Sequence, residues 1–222
     1  MTLIVINFKT YAESTGEKAL RLAEICEDVS KEYGVQMIVV PQVADIHAIS
    51  TAVKIPIYAQ HVDGVPQGGF TGSVTAASLK AAGASGSLIN HSERRLDLAK
   101  IDASISACRS LGLKTIVCTN NVATTRAAAS LGPDFVAVEP PELIGSGIPV
   151  SKANPDIVIQ SVKAVKNIDS SVGVLCGAGI TRGEDLGAAL ALGSEGVLLA
   201  SGIIKAKDQQ RALEELVTGA KR

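Results

Sequence analysis

Tryptophan is absent from the 222-residue chain, and three tyrosines and three phenylalanines make up its whole aromatic content. This number is too small for an RNA-stacking sheet or for an aromatic belt at a membrane interface. Positive charge is not in excess either, because 21 lysines and arginines stand against 22 aspartates and glutamates and give a net charge of -1. The composition therefore argues against nucleic acid and against a membrane as partners, and an anionic ligand has to be bound locally.

Long apolar runs are missing as well. No window approaches the roughly eighteen uninterrupted apolar residues of a membrane-spanning helix, and the short amino-terminal run ends at Asn7 without the basic region of a secretory signal. The cysteines are far apart and form no C-x-x-C pair. We interpret them as buried thiols of a cytoplasmic protein in a reducing environment. They are Cys26, Cys108, Cys118 and Cys176.

The chain does contain a regular alternation of two kinds of segment. Short runs rich in valine and isoleucine are each followed by a longer, alanine-rich amphipathic stretch. The runs are continuous rather than alternating, as expected for parallel strands buried on both faces. We predict eight strands, at Leu3–Phe8, Gln36–Val40, Ile57–Gln60, Ser87–Asn90, Thr115–Cys118, Phe135–Val138, Gly173–Cys176 and Val197–Ala200.

The segments between these strands show signals of helix starts and ends. Ser14–Glu17 and Thr181–Glu184 have the pattern of capping boxes, and a glycine falls where each of five helices should end. Eight strand-plus-helix units of about 28 residues predict an α/β fold, a single (β/α)8 barrel domain over residues 1–222. A doubly wound open sheet is the alternative, but Asn7–Thr10 lacks the G-x-G-x-x-G turn expected after its first strand. The five glycines are Gly34, Gly83, Gly112, Gly132 and Gly193.

In a barrel, the functional site lies at the carboxyl ends of the strands. Asn7 and Lys9 end the first strand two positions apart, so both should face the barrel interior, where a lysine needs an anion. The alternative is a solvated loop lysine. His91 follows the fourth strand, and the polar segment 92–95 behind it could open a helix whose N–H groups point back at the ring. This environment favours a neutral imidazole that donates to a substrate oxygen, against the alternative of a structural histidine.

Glu139 ends the sixth strand, and a carboxylate at an apolar barrel mouth binds protons more readily, which suits a general base. The prolines and glycines of 140–150 suggest a lid, although an ordinary connector has the same composition. Small residues in the loops after strands seven and eight, Gly177–Gly179 and Ala200–Ser201, indicate a phosphate site, because barrels often hold phosphate there.

Three motifs together resemble the signatures of the triosephosphate isomerases, and they occur in the same order along the whole chain. They are Asn7-x-Lys9, His91-Ser92-Glu93-Arg94, and Glu139-Pro140 with Ile144-Gly145-Ser146-Gly147. The resemblance implies the TIM-barrel fold and the interconversion of dihydroxyacetone phosphate and D-glyceraldehyde 3-phosphate. This step of glycolysis and gluconeogenesis passes through an enediolate and needs neither metal nor cofactor.

The resemblance also implies residue roles. Lys9 stabilises negative charge, His91 is the electrophile, Glu139 is the base, and Asn7 positions Lys9 and the substrate. Independently of the resemblance, Glu93 and the arginines after it form either a surface charge cluster or a group that includes a partner for Lys9. The phosphate group would be held by Ile144, Gly145, Gly177, Ala178, Gly179, Ala200 and Ser201.

Three positions depart from the commoner pattern of the family: Glu142 stands where tryptophan is usual, Gly177-Ala178-Gly179 replaces Gly-Gly-Ser, and Ala200-Ser201 replaces Gly-Gly. These departures and the short chain are similar to the archaeal form of the family, whose members tend to be tetramers. We therefore expect a homo-oligomer, with a tetramer favoured over a dimer. Gln67–Gly72 resembles the protruding dimer loop of the family, although a flexible surface hairpin would have a similar sequence.

Two other functions remain open at this point. A metal-dependent sugar-phosphate epimerase could use His61, Asp63, His91 and Glu139 as ligands, although the seventh strand ends at Cys176 without a further carboxylate. A noncatalytic protein that binds phosphate esters on a barrel scaffold is the other, because a fold does not determine a function.

Overall fold

The computed structural model describes residues 2–140 and 149–221, and a sheet of eight parallel strands forms its centre. The strands are neighbours in the order β2-β1-β8-β7-β6-β5-β4-β3. The edge strands β2 and β3 meet where Val39 bridges Ile57 and its N–H donates to the Pro56 carbonyl at 3.1 Å, so the barrel is nearly closed. The strands are β1 (Leu3–Asn7), β2 (Gln36–Val40), β3 (Tyr58–Ala59), β4 (Gly86–Ile89), β5 (Lys114–Thr119), β6 (Phe135–Val138), β7 (Gly173–Gly177) and β8 (Gly196–Leu199).

Helices alternate with the strands, which confirms the predicted (β/α)8 architecture. Within the described residues, none of them is long and apolar enough to cross a membrane. Short 3-10 helices lie at Ala12–Ser14, Val43–Asp45 and Thr218–Lys221. The α-helices are α1 (Glu17–Tyr33), α2 (Ile46–Ala52), α3 (Ala76–Ala81), α4 (Leu98–Ser110), α5 (Val122–Ala129), α6 (Val150–Ala153), α7 (Pro155–Ile168), α8 (Gly183–Ala191), α9 (Ser201–Ile204) and α10 (Gln209–Val217).

The core has two layers because successive strand residues point to opposite faces. In β1, Leu3 and Val5 fill the barrel interior, whereas Ile4 and Ile6 pack against the surrounding helices. Both faces are buried, which explains the continuous apolar runs in the sequence. The interior cluster is Leu3, Val5, Ile38, Val40, Tyr58, Leu88, Ile116, Cys118, Ala137, Leu175 and Leu198.

The ends of the helices are predicted from the sequence more accurately than their starts. All five glycines predicted to end helices adopt positive φ, between 66° and 95°. The first predicted capping box is wrong, because Gly16 is the N-cap of α1 and makes no side-chain cap, while the Thr15 hydroxyl donates to the Tyr11 carbonyl at 2.9 Å. The second is displaced by one residue, because Asp185 rather than Glu184 accepts from the backbone N–H at the start of α8.

Gly196 provides a test of the packing between β8 and β1. A Cβ at this position would overlap the Leu3 carbonyl of the neighbouring strand. We expect Gly196→Ala to lower the free energy of unfolding by about 3 kcal/mol or more, because the backbone cannot move aside without breaking the ladder. Urea unfolding measures this change through the transition midpoint.

Gly112→Ala is the control for backbone strain alone, because Gly112 has φ 70° and no neighbour within 4 Å of a built Cβ. We expect it to cost about 1 kcal/mol. Equal midpoints for the two variants would contradict the packing argument.

Candidate active site

Polar residues from several strand ends converge on two adjoining cavities at the carboxyl end of the barrel. Asn7, Lys9, Tyr11 and His91 line both of them. The inner cavity has a volume of about 60 Å³, and its other lining residues are Glu139, Ala178, Gly179, Ile180, Thr181, Leu198, Leu199, Ala200 and Ser201. The outer cavity has a volume of about 470 Å³, and its other lining residues are Thr10, Gln60, His61, Glu93 and Arg94.

Lys9 is held in an unusual backbone conformation directly after β1. Its φ is 48°, and its N–H donates to Asn7 Oδ1 at 3.0 Å while its carbonyl accepts from Gln60 Nε2 at 2.8 Å. Its Nζ lies 3.0 Å from Glu93 Oε1, with 14% of the lysine side chain and 60% of the glutamate side chain exposed. Lys9 therefore points into the site with a partner that solvent can screen and that an anionic ligand can displace.

His91 is buried, and its hydrogen bonding assigns the tautomer of a neutral ring. The Glu93 N–H donates to Nδ1 at 3.3 Å, which leaves the proton on Nε2. The Glu93 carboxylate also lies 3.4 Å from Nδ1, but that side chain is largely exposed. The helix expected at 92–95 is absent, because α4 begins only at Leu98. A turn, closed by the Arg94 N–H on the His91 carbonyl at 2.8 Å, supplies the N–H instead.

Glu139 follows β6 with its carboxylate buried in the barrel mouth. Its backbone N–H donates to the Thr119 carbonyl at 2.7 Å. Its side chain packs against the α-carbon of Gly177, and a Cβ at position 177 would overlap the glutamate side chain. Its Oε2 has no hydrogen-bond partner among the described residues and lies 3.8 Å from His91 Nε2. One oxygen of a buried carboxylate is thus free to accept a proton.

Two buried thiols lie close to Glu139. Burial and then the nearby Glu139 carboxylate raise the pKa of Cys118 well above its usual value. The same two causes raise the pKa of Cys176 to about 12. Both side chains therefore stay protonated and neutral, so they add no charge next to the glutamate.

The turn after β7 has an unusual backbone conformation. Ala178 and Gly179 adopt φ values of 70° and 71° in succession, and no described residue accepts a hydrogen bond from either backbone N–H. The turn packs against the start of α9, where Gly202 contacts the Ile180 carbonyl so closely that a Cβ would not fit. Ala200 is the N-cap of α9. Residues of both loops line the inner cavity, and a helix start or a turn with unpaired N–H groups favours anions.

Sequence reasoning named Asn90 only as a polar residue at the end of the fourth strand, and it did not name Tyr11. Asn90 has φ 63°, its Nδ2 donates to the Cys118 carbonyl at 2.9 Å, and its Oδ1 accepts from the Leu96 N–H at 2.8 Å. An asparagine between a strand and His91 is a signal for this geometry, since asparagine tolerates the left-handed region. Tyr11 lines both cavities, and nothing in its sequence context marks it.

The predicted phosphate ligands Ile144 and Gly145, and the proposed lid, lie outside the described residues except at the ends of the segment.

His61 and Asp63 form a pair, with Nε2 and Oδ1 2.9 Å apart. Burial raises the pKa of Asp63, but hydrogen bonds from His61 and from the Val74 N–H outweigh it, so the net pKa lies below the usual value.

The structure does not support the alternative metal site. Among residues 2–140 and 149–221, no three histidine, cysteine, aspartate or glutamate side chains are arranged to hold a metal ion. All four hypothetical ligands lie within these ranges, so the arrangement expected of a metal-dependent epimerase is not formed.

A larger cavity, of about 840 Å³, lies at the opposite end of the barrel. Residues at the amino ends of strands, such as Leu3, Gln36 and Phe135, line it. None of the motifs described above contributes to it, so its volume does not make it the candidate site.

Fold and site together define a (β/α)8-barrel protein with a lysine, an imidazole and a buried carboxylate at one barrel mouth, beside a turn whose N–H groups have no backbone acceptor among the described residues. A sequence model of the family described as "Triosephosphate isomerase" matches residues 2–219. The chain belongs to the triosephosphate isomerase family.

Curated relatives extend this finding over nearly the whole chain. The triosephosphate isomerase of Methanosarcina barkeri is 58% identical, over 98% of each chain. That of Methanothermus fervidus is 60% identical, over 97% of each chain. That of Methanocaldococcus jannaschii is 57% identical, over 97% of this chain and 98% of the relative. These archaeal relatives agree with the short form indicated by the sequence.

Proposed function

We propose that the chain interconverts dihydroxyacetone phosphate and D-glyceraldehyde 3-phosphate, with Glu139 as the base. The observation that carries this proposal is the unpartnered, buried Oε2 of Glu139, 3.8 Å from His91 Nε2 in a cavity that Lys9 also lines. A base, a hydrogen-bond donor and a cation around one small space fit proton abstraction next to a carbonyl.

In the proposed reaction, Glu139 removes a proton from the carbon beside the substrate carbonyl and is left protonated. The electron pair of the broken C–H bond forms the carbon–carbon double bond of an enediolate, and the negative charge moves to oxygen. Glu139 then returns the proton to the neighbouring carbon. The hydroxyl proton on the first carbon moves to the oxygen of the second carbon, so that the first carbon becomes the new carbonyl and the second carries the hydroxyl group. Because the same carboxylate takes and returns the proton, no cofactor is needed.

His91 and Lys9 would stabilise the charge on the enediolate oxygens. The Glu93 N–H bond to Nδ1 leaves the Nε2 proton of a neutral His91 free to donate, and the Lys9 ammonium adds an electrostatic contribution. A glutamate base paired with a neutral histidine is the known arrangement of this family. Asn7 would fix Lys9 through its backbone contact at 3.0 Å, and Glu93 would hold the ammonium until the substrate arrives.

The substrate phosphate would bind where backbone N–H groups are free. Gly177, Ala178 and Gly179 supply one side of this site, and Ala200 with Ser201 supplies the other. A helix N-terminus and a turn with exposed N–H groups both favour anions. Ile144 and Gly145 remain part of the proposal on the strength of the sequence motif.

The chain would act in the cytoplasm as a homo-oligomer, with a tetramer favoured over a dimer. Its four cysteines are free and buried, which fits a reducing compartment. Phe70, in the Gln67–Gly72 loop, is 44% exposed, and an exposed aromatic ring on a protruding loop favours contact with another subunit.

Glu139→Gln tests the base. We expect the turnover number in a coupled assay with glyceraldehyde 3-phosphate to fall by about 10²- to 10⁴-fold, because the amide cannot take the proton. The unfolding midpoint should change little. Glu24→Gln, on the exposed side of α1, is the control and should keep full turnover. Turnover of Glu139→Gln close to that of the unmodified chain would refute the assignment.

Lys9→Met tests the electrostatic role. We expect the turnover number to fall by about 10²-fold, because an essential stabilising group is lost in the transition state, and the KM to rise. Lys18→Met, an exposed lysine on α1, removes the same charge outside the site. If Lys9→Met leaves both constants intact, Lys9 has a structural role only.

Phe70→Asp tests the oligomer contact. An aromatic hot spot contributes about 2 kcal/mol or more, so we expect the self-association constant to fall by roughly 30-fold. Sedimentation velocity over a concentration series measures it. Ile168→Asp, a similarly exposed apolar residue on α7, is the control. Unchanged association of Phe70→Asp would place the contact elsewhere.

A further inference from the structure

Asp185 is a buried carboxylate that the proposed chemistry does not use. It occupies the third position of α8, and its side chain is 5% exposed. Burial alone would raise its pKa, but hydrogen bonds from Lys152 and from residues 181 and 182 hold that pKa below its usual value. The group therefore stays ionised, and its charge has to be matched by its contacts.

The two oxygens of Asp185 serve different parts of the fold. Oδ2 accepts from the Thr181 N–H, the Thr181 hydroxyl and the Arg182 N–H, each at 3.1 Å. Oδ1 lies 2.9 Å from Lys152 Nζ, on α6. A helix cap needs only the first set of bonds. The second links α8 to the β6–α7 connection, which leaves the barrel at Glu139.

Thr181 directly follows the turn proposed to hold phosphate. It lines the inner cavity together with Ala178 and Gly179, and on its other side it contacts Gly202. The backbone at Thr181 is therefore held between Asp185 and the start of α9. A shift of the carboxylate would move the N–H groups of the turn relative to the Glu139 carboxylate.

We infer that Asp185 is a positioning residue that sets the place of the substrate phosphate relative to Glu139, and that Lys152 fixes the orientation of its carboxylate. This inference rests on the proposed phosphate site. Asp185 does not touch the substrate. It acts through the Thr181 and Arg182 N–H groups, so its effect belongs to binding of the phosphate end rather than to the proton transfer.

Two variants separate this role from a merely structural one. Asp185→Asn keeps an oxygen acceptor for the helix start and loses the ion pair, whereas Lys152→Met removes only the partner, whose side chain is half-exposed. We expect the KM for glyceraldehyde 3-phosphate and the inhibition constant of inorganic phosphate to rise together by roughly 10-fold in Asp185→Asn, because misplacement of a binding group weakens its contacts. The turnover number should change much less.

Lys152→Met should shift the same two constants in the same direction by a smaller factor. The double variant should match Asp185→Asn, because the two side chains act through one contact. Glu184→Gln is the matched control, since this neighbour is 76% exposed and lies 3.7 Å from the same lysine. It should leave both constants unchanged.

A fall in unfolding midpoint with an unchanged phosphate inhibition constant in both variants would overturn the inference and leave the phosphate site standing. A fall in turnover number alone would also overturn it. Absence of competition by inorganic phosphate in the unmodified chain would overturn the proposed phosphate site, and the inference with it. If Asp185→Asn does not fold, Lys152→Met decides the question through the same two constants.

Discussion

The alternation of side chains along eight parallel strands is the constraint on which the site depends. In β1, Leu3 and Val5 fill the barrel interior, so the next residue of the same parity, Asn7, emerges at the mouth. In β6, Ala137 is interior and Glu139 is the next inward position. Closure of the barrel thus brings polar groups together at one mouth although they lie far apart along the chain. A register shift of one residue would send them into the helix layer.

The site is also built on backbone conformations that most residues avoid. Within the described residues, the non-glycine residues at positive φ are Lys9, Asn90 and Ala178, and they follow β1, β4 and β7 at the same mouth. Neighbouring hydrogen bonds hold the first two in place. Strain concentrated where ligands bind is a common property of functional sites, because only a well-packed surrounding structure can maintain it.

The sequence predicts the barrel and most of the mouth because both follow from local patterns. Continuous apolar runs mark the strands to within one residue, and polar residues that follow β1, β3, β4 and β6 line the two cavities at the mouth. Contacts between distant residues are not predictable in this way. The Lys9–Glu93 ion pair joins residues that are 84 positions apart. The ion pair between Lys152 and Asp185 forms because Oδ1 of the aspartate faces α6 while Oδ2 faces the start of α8. The error of one residue at the start of α8 has the same origin. The sequence pattern favours Glu184, three residues after Thr181, but the fold buries Asp185 and directs its carboxylate to the helix start.

Ala178 is an alanine at a turn position with φ 70°, where a glycine would be usual. An alanine in the left-handed region lowers the stability of the folded state by about 1–2 kcal/mol relative to a glycine. It also restricts the unfolded chain more than a glycine does, so less conformational entropy is lost on folding. Packing against the start of α9 and the neighbouring hydrogen bonds at Thr181 hold the turn in this shape. If this turn holds the substrate phosphate as proposed, binding requires little further loss of conformational entropy, and preorganisation would account for part of the affinity.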